Sequence, residues 1–294
     1  MKKTITLLLA LLLCLTVFAA CATETATTPT PTPDDVVVAT DPVDTSATEE
    51  PAATPTPEEP TPEPPADPVE LVVFAAASMK ETMDTIATLY KDVAPNVTIT
   101  YTFDSSGTLL TQIQEGAEAD IFISAAQKQM NTLADDNALL AETRFDLVEN
   151  KVALVVPSGN PANITSFDDA IDADSIALGN SDVPVGQYSE EIFISLGVWD
   201  AVSAKATLGA NVKEVQTWVS EAVVDCGIVY ATDAFSAGLE IVADAPEGTL
   251  KTPVVYPASV LAMSKSVDAA KAFLEFLKTP EAFAVFEAVG FAKP

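Results

Sequence analysis

The stretch VVFAAASMKETMDTI, Val72 to Ile86, changes period in its middle. Its first half is a run of apolar strand-forming residues, the composition of a strand buried on both faces. Three alanines, Ala75 to Ala77, then give way to Ser78. From Met79 onward the apolar residues fall at helical spacing, with Met79, Met83, Ile86 and Leu89 on one face. A strand running straight into a helix is the building unit of α/β sheets. The turn between them is bare. Ser78 and Glu81 have the spacing of a capping box, in which the serine oxygen accepts a first-turn N–H and the glutamate reaches back. The same turn offers unpaired N–H groups and the positive end of the helix dipole to an anion. A cap and an anion site are both open readings here.

Outward from this unit the alternation continues. Strands are predicted at Glu70–Ala75, Val97–Phe103, Asp120–Ser124, Lys151–Val156, Ser175–Gly179, Lys205–Leu208, Gly227–Ala231 and Pro253–Tyr256. Helices are predicted at Lys80–Asp92, Gly107–Glu115, Ser189–Leu196, Val212–Glu221 and Val267–Leu277. The expected fold class is α/β with largely parallel sheets, in two lobes separated by a cleft. One lobe is expected to comprise 69–149 plus 232–294, and the other 150–231, with crossings near Glu149-Asn150 and Ala231-Thr232.

Three further strand-to-helix turns repeat the chemistry of the first. In YTFDSSGTLLTQI, Ser106 can offer hydroxyl and amide, while Gly107 lets the chain approach a ligand. In SDVPVGQYSEEIF, Pro184 and Gly186 flank the backbone amide of Val185. In GANVKEVQTWV, Asn211 can cap the helix and leave the Val212 N–H in the first turn. In open α/β sheets ligands lie beyond the carboxyl ends of the strands, where these turns fall.

The amino-terminal part is of another kind. Residues 1–20 have a basic start, Lys2-Lys3, a short apolar run from Ile5 to Phe18, and small residues before Cys21. That pattern reads as a signal peptide whose cysteine resembles a bacterial lipoprotein box, making Cys21 a lipidated first residue. Residues 21–68 are rich in Thr, Pro, Asp and Glu, a composition that buries too little apolar surface to fold and suits a disordered tether. The apolar island DDVVVAT, Asp34 to Thr40, carries no strand assignment. Cys226, in CGIVYA, is expected as a buried core residue, and with no histidine in the chain there is no Cys/His zinc site.

A formal net charge of −29 excludes a nucleic-acid partner, since no basic footprint exists to neutralise phosphates. Nucleophilic catalysis at Ser78 or Ser106 lacks a histidine base, a Gly-x-Ser-x-Gly elbow and a Ser-x-x-Lys signature, so the chain is expected not to be an enzyme.

Taken together, VVFAAASMKETM, TFDSSGTLLTQIQEGAEADIFISAAQKQM, VPVGQYSEEIFISLGVWDAV, GIVYATDA and FEAVGF make the chain from Glu70 to Pro294 resemble the molybdate-binding proteins of bacterial ABC importers. The resemblance implies a class II periplasmic-binding-protein-like fold, two-lobed, with a tetrahedral oxyanion in the interlobe cleft. It implies that Ser78 and Ser106 donate through hydroxyl and amide, Val185 and Val212 through backbone N–H, and Tyr230 through its hydroxyl. The ligand would be molybdate or tungstate, without a cofactor or a metal cation. The partners would be an ABC permease and, through Cys21, the outer face of the cell membrane, with the receptor monomeric. A receptor for another oxyanion such as sulfate or phosphate is the alternative. Asp104, where the family often has a small neutral residue, is expected to face solvent by alternation along the strand.

Overall fold

The computed structural model describes residues 67–294. The signal segment, Cys21 and nearly all of the tether lie outside the described residues. Strand β1 (Val69–Ala76) passes through a single 3-10 turn (Ala77–Met79) into helix α1 (Lys80–Val93). There follow β2 (Val97–Asp104), α2 (Ser106–Gln114), β3 (Ile121–Ile123), α3 (Gln127–Asp135) and β4 (Phe145–Asn150). The chain then crosses to β5 (Val152–Val156), a 3-10 turn (Asp168–Ile171), β6 (Ile176–Gly179), α4 (Pro184–Ser195) and α5 (Trp199–Ser203). This second part continues through β7 (Ala206–Gly209), α6 (Val212–Ser220), β8 (Cys226–Tyr230), α7 (Ala231–Ala237) and β9 (Glu240–Asp244). The return brings β10 (Val254–Val260), α8 (Val267–Leu277) and α9 (Pro280–Ala288).

Each lobe is built on a five-stranded sheet, ordered β2-β1-β3-β10-β4 in the first and β7-β6-β8-β5-β9 in the second. Both sheets are mixed rather than largely parallel. The pairs β1–β2, β1–β3, β6–β7 and β6–β8 are parallel, as the strand–helix units require. The pairs β4–β10 and β5–β9 are antiparallel because those strands carry the chain out of one lobe and back into it side by side. The outward crossing at Asn150–Lys151 is near the expected place. The return differs: α7 and β9 follow β8, and β9 pairs with β5 in the second sheet. The chain therefore crosses back between Asp244 and Val254, not at Ala231-Thr232. Helix α4 also starts earlier than Ser189, with Pro184 at its first turn, where a fixed φ and a missing N–H cost nothing.

Strand β1 is buried on both faces, as its composition requires. Leu71, Val73 and Ala75 join the core under α1, while Phe74 packs with Leu109, Phe122, Met130 and Leu133 under α2 and α3. Met83, Ile86 and Tyr90 form the buried face of α1. Tyr90 meets Phe273 and Phe276 of α8, each at a ring-centroid distance of 5.0 Å. Cys226 is fully buried in β8, where burial pushes its thiol up to about 12. It is the one free cysteine among the described residues. No described helix is long and apolar enough to cross a membrane.

Candidate functional site

Parallel register brings strand ends together. Ala76 of β1 lies beside Asp104 of β2, and Ala75 beside Ile123 of β3, so the turns carrying Ser78, Ser106 and Ala125 are neighbours. In the second lobe Gly179 of β6 is level with Gly209 of β7, which aligns the starts of α4 and α6. Gly186 makes that packing possible, because a Cβ there would lie 2.3 Å from the Gly179 carbonyl oxygen. The two sets of turns face each other across a small cavity. Its walls are Ala76, Ala77, Ser78, Asp104, Ser105, Ser106 and Ala125 from one lobe, and Val183, Pro184, Val212 and Tyr230 from the other.

Of the five residues singled out in the sequence, Ser78, Ser106, Val212 and Tyr230 thus line one cavity. Val185 does not. It is fully buried and does not line the space, though its amide belongs to the first turn of α4, where N–H groups lack intrahelical partners.

Ser78 is not a helix cap. It sits inside the 3-10 turn, the α1 cap position is Met79, and no side chain caps the helix. Its Oγ lies 3.0 Å from Tyr256 Oη instead. Asn150 Nδ2 donates to that same Tyr256 oxygen at 3.2 Å, and Asn150 Oδ1 accepts the Lys151 N–H, which fixes the amide's orientation. Either hydroxyl can donate in the Ser78–Tyr256 bond, and when Tyr256 donates to Ser78 Oγ the Ser78 hydrogen is left for the cavity. Glu81, freed from any capping role, pairs with Lys213 of α6 at 2.9 Å.

Ser106 is arranged in the same way. Its Oγ accepts the Ala125 N–H at 2.9 Å, so its hydrogen is free to donate. The cap of α2 is Ser105, whose Oγ accepts from Thr108 N–H at 3.0 Å and leaves the Ser106 amide at the open first turn. Asn211 caps α6 as expected, accepting from Glu214 N–H at 3.1 Å. Tyr230 is 1 % exposed and its hydroxyl has no hydrogen-bond partner among the described residues. Its ring meets that of Tyr256 edge-on at 5.6 Å, near enough for the hydroxyls to influence each other without a bond between them. Burial raises both phenols well above their ordinary range, so both keep their protons. A buried donor without an acceptor is costly, and one at a cavity wall is poised for a ligand.

Asp104 departs from expectation by lining the cavity. Its Oδ1 accepts the Ser105 N–H at 2.7 Å and a longer contact of 3.4 Å from Asn211 Nδ2. A local side-chain bond to the turn overrides simple alternation. No Lys or Arg lines the cavity. Lys213, next to Val212, turns away to the fully buried Asp233 at 3.0 Å, an ion pair whose alignment falls short of a hydrogen bond. Burial opposes the charge on Lys213, but Asp233 and Glu81 outweigh it and raise its pKa. On Asp233 burial prevails over the lysine and pushes the carboxyl up to about 6. Among the described residues no cluster of metal-ligating side chains occurs.

Tyr256, Asn150 and the Ala125 amide were missed in the sequence. Tyr256 is 178 residues from its partner Ser78, and no local signal marks it. Ser105 had a signal, a serine three residues before Thr108 at the start of an apolar helix.

Residues 71–292 match the family described as bacterial extracellular solute-binding protein. The chain belongs to that family. This solute-binding protein is accordingly extracytoplasmic, and the family is one of receptors for transport rather than of enzymes. It is 36% identical over 234 residues to the molybdate-binding protein ModA of Escherichia coli, covering 77% of this chain and 90% of that one. It is also 36% identical over 224 residues to YvgL of Bacillus subtilis, named provisionally as an ABC transporter substrate-binding lipoprotein, covering 76% and 86%. The fold is that of the Azotobacter vinelandii periplasmic molybdate-binding protein, with a TM-score of 0.68 at 21% identity over 76% of this chain and 99% of that one.

Proposed function

We propose that this solute-binding protein captures molybdate, and tungstate as well, in the interlobe cavity and delivers it to the permease of an ABC importer. The observation that carries the reading is a small space between the lobes lined by hydroxyl and first-turn amide donors from both, without Lys or Arg and with Asp104 as its one carboxylate, where the buried Tyr230 hydroxyl has no partner among the described residues. In this reading Ser78 and Ser106 donate through hydroxyls and amides, Val185 and Val212 through first-turn N–H groups, and Tyr230 through its hydroxyl. The likeness to ModA of Escherichia coli supports the choice of oxyanion.

Neutral donors are sufficient for a dianion. Each hydrogen bond to an ionised partner contributes about 1.5–3 kcal/mol, and several fixed in advance exceed the cost of association. The serine, tyrosine and amide groups donate and do not accept, which favours a fully deprotonated oxyanion; the Asp104 carboxylate in the same wall is the one acceptor for the proton of hydrogen phosphate, so phosphate is the decisive control. The acidic surface is tolerable since dipoles at contact distance outweigh charges screened by salt.

Calorimetric titration with molybdate, tungstate, sulfate and phosphate tests the reading. Sub-micromolar binding of the first two is expected. No heat from either, or sulfate bound as tightly, defeats it. The receptor acts as a monomer held to the membrane by lipid on Cys21, with residues 22–68 as its tether; the lipoprotein relative YvgL supports the anchor. A Cys21→Ser variant should leave the membrane fraction.

A further inference from the structure

Apart from Asn150 Nδ2, which donates to Thr232 Oγ1 at 2.8 Å where the chain crosses, three polar contacts join the lobes around the cavity. Lys213 Nζ meets Glu81 Oε2 at 2.9 Å, and Asn211 Nδ2 meets Asp104 Oδ1 at 3.4 Å. Both are made by side chains, which can follow a small change in lobe separation. The third is made by main chain alone: Gly107 N–H, in the first turn of α2, donates to the carbonyl oxygen of Asp182, just ahead of α4, at 3.1 Å. Neither partner can adjust by changing rotamer.

The glycine is essential to that contact for a reason of space rather than torsion, since its φ is not positive. A Cβ on residue 107 would lie 2.2 Å from the Asp182 carbonyl oxygen and 2.9 Å from its carbonyl carbon, whereas ordinary contact begins at 3.4 Å. To accept even an alanine the two backbones must part by about 1 Å. Gly107 adjoins the cavity residue Ser106, and Asp182 lies two residues before the cavity residue Pro184. The separation at this point is therefore passed directly to the walls of the site.

We propose that the Gly107–Asp182 backbone contact is the stop that sets how far the lobes close, and so fixes the size of the oxyanion cavity. The inference rests on the binding reading above and deepens it. Discrimination among tetrahedral oxyanions of like charge depends on cavity size, and a main-chain stop holds that size more firmly than a side-chain contact does. Gly107 and Asp182 touch no ligand in this scheme; they position the groups that do.

The test compares the wild-type protein with Gly107→Ala and Asp182→Ala by molybdate calorimetry, small-angle scattering with molybdate, and ligand-free thermal melting. Alanine is a better helix former than glycine, so the ligand-free melting temperature of Gly107→Ala should be unchanged or higher. Its molybdate affinity should fall at least tenfold, and at saturating molybdate its radius of gyration should stay above that of the wild type. Asp182→Ala keeps the carbonyl and should bind like the wild type. Equal affinity in Gly107→Ala, a lowered ligand-free melting temperature, or an equal loss in Asp182→Ala would overturn the stop. Failure of the wild type itself to bind molybdate would instead defeat the oxyanion reading, and the inference with it.

Discussion

The buried hydroxyls of Ser78 and Tyr256 lie 3.0 Å apart, and Asn150 donates to the same Tyr256 oxygen at 3.2 Å. The chain Asn150 to Tyr256 to Ser78 holds the serine oxygen in place beside the cavity. Ser78→Ala should weaken molybdate binding tenfold or more, since a charge-assisted bond is lost. Tyr256→Phe should weaken it several-fold by removing the hydroxyl that holds Ser78 Oγ in place. The double variant should be no weaker than Ser78→Ala alone, because both changes act through one donor. Additive losses by calorimetry would show that Tyr256 acts by another route.

Tyr230 should behave differently from the serines because its hydroxyl is buried without a partner. Tyr230→Phe removes that group, which should raise the stability of the ligand-free protein by about 1 kcal/mol. The same variant should bind molybdate about tenfold more weakly. Denaturant unfolding without ligand, set beside calorimetry, checks the two opposite signs. A loss of ligand-free stability would mean the hydroxyl has a bonding partner when the cleft is empty.

Asp104 places a carboxylate in the wall of a cavity meant for a dianion. Asp104→Asn keeps an oxygen to accept the Ser105 N–H while removing the charge. Molybdate affinity should rise a few-fold, more at low salt than at high salt, as repulsion between like charges requires. An affinity that falls would mark the interlobe contact to Asn211 as the larger effect.

Asp233 gives a pH signature. Its carboxyl is raised from an ordinary 3.8 to about 6, chiefly by burial and against the pull of Lys213, with Glu81 raising it further. Between those values the folded protein holds a proton that the unfolded chain has released. The contribution is fully present below pH 4 and is lost as pH rises through 6. Asp233→Asn removes the titration, so its stability relative to the wild type should grow between pH 4 and 7 by up to about 3 kcal/mol. Chemical unfolding of both proteins across that range is the measurement, and a parallel pH dependence would contradict it.

Much of the fold was legible because it rests on local pattern. The period change at Ser78 located β1 and α1, and burial of β1 on both faces followed from its composition. Where burial is partial the pattern fades. β4, FDLVEN, mixes charged and apolar residues, and β9, EIVAD, is an edge strand with no fully buried residue, so neither announced itself. Missing β9 placed the return crossing too early, and missing β4 hid the antiparallel half of the first sheet.

The site divides along the same line. Sequence alone determined which turns carry small residues, hydroxyls and free amides, because those properties belong to residues and to the first turn of a helix. It left open where Lys80 and Lys213, in the first turns of α1 and α6, would point. Only the tertiary structure decided that Ser78 bonds to Tyr256 rather than capping α1, that Asp104 faces inward, and that Gly107 meets Asp182. Each depends on groups far apart in the chain being brought within a few ångströms, where hydrogen bonds and steric repulsion change steeply with distance. Local periodicity carries no record of that distance.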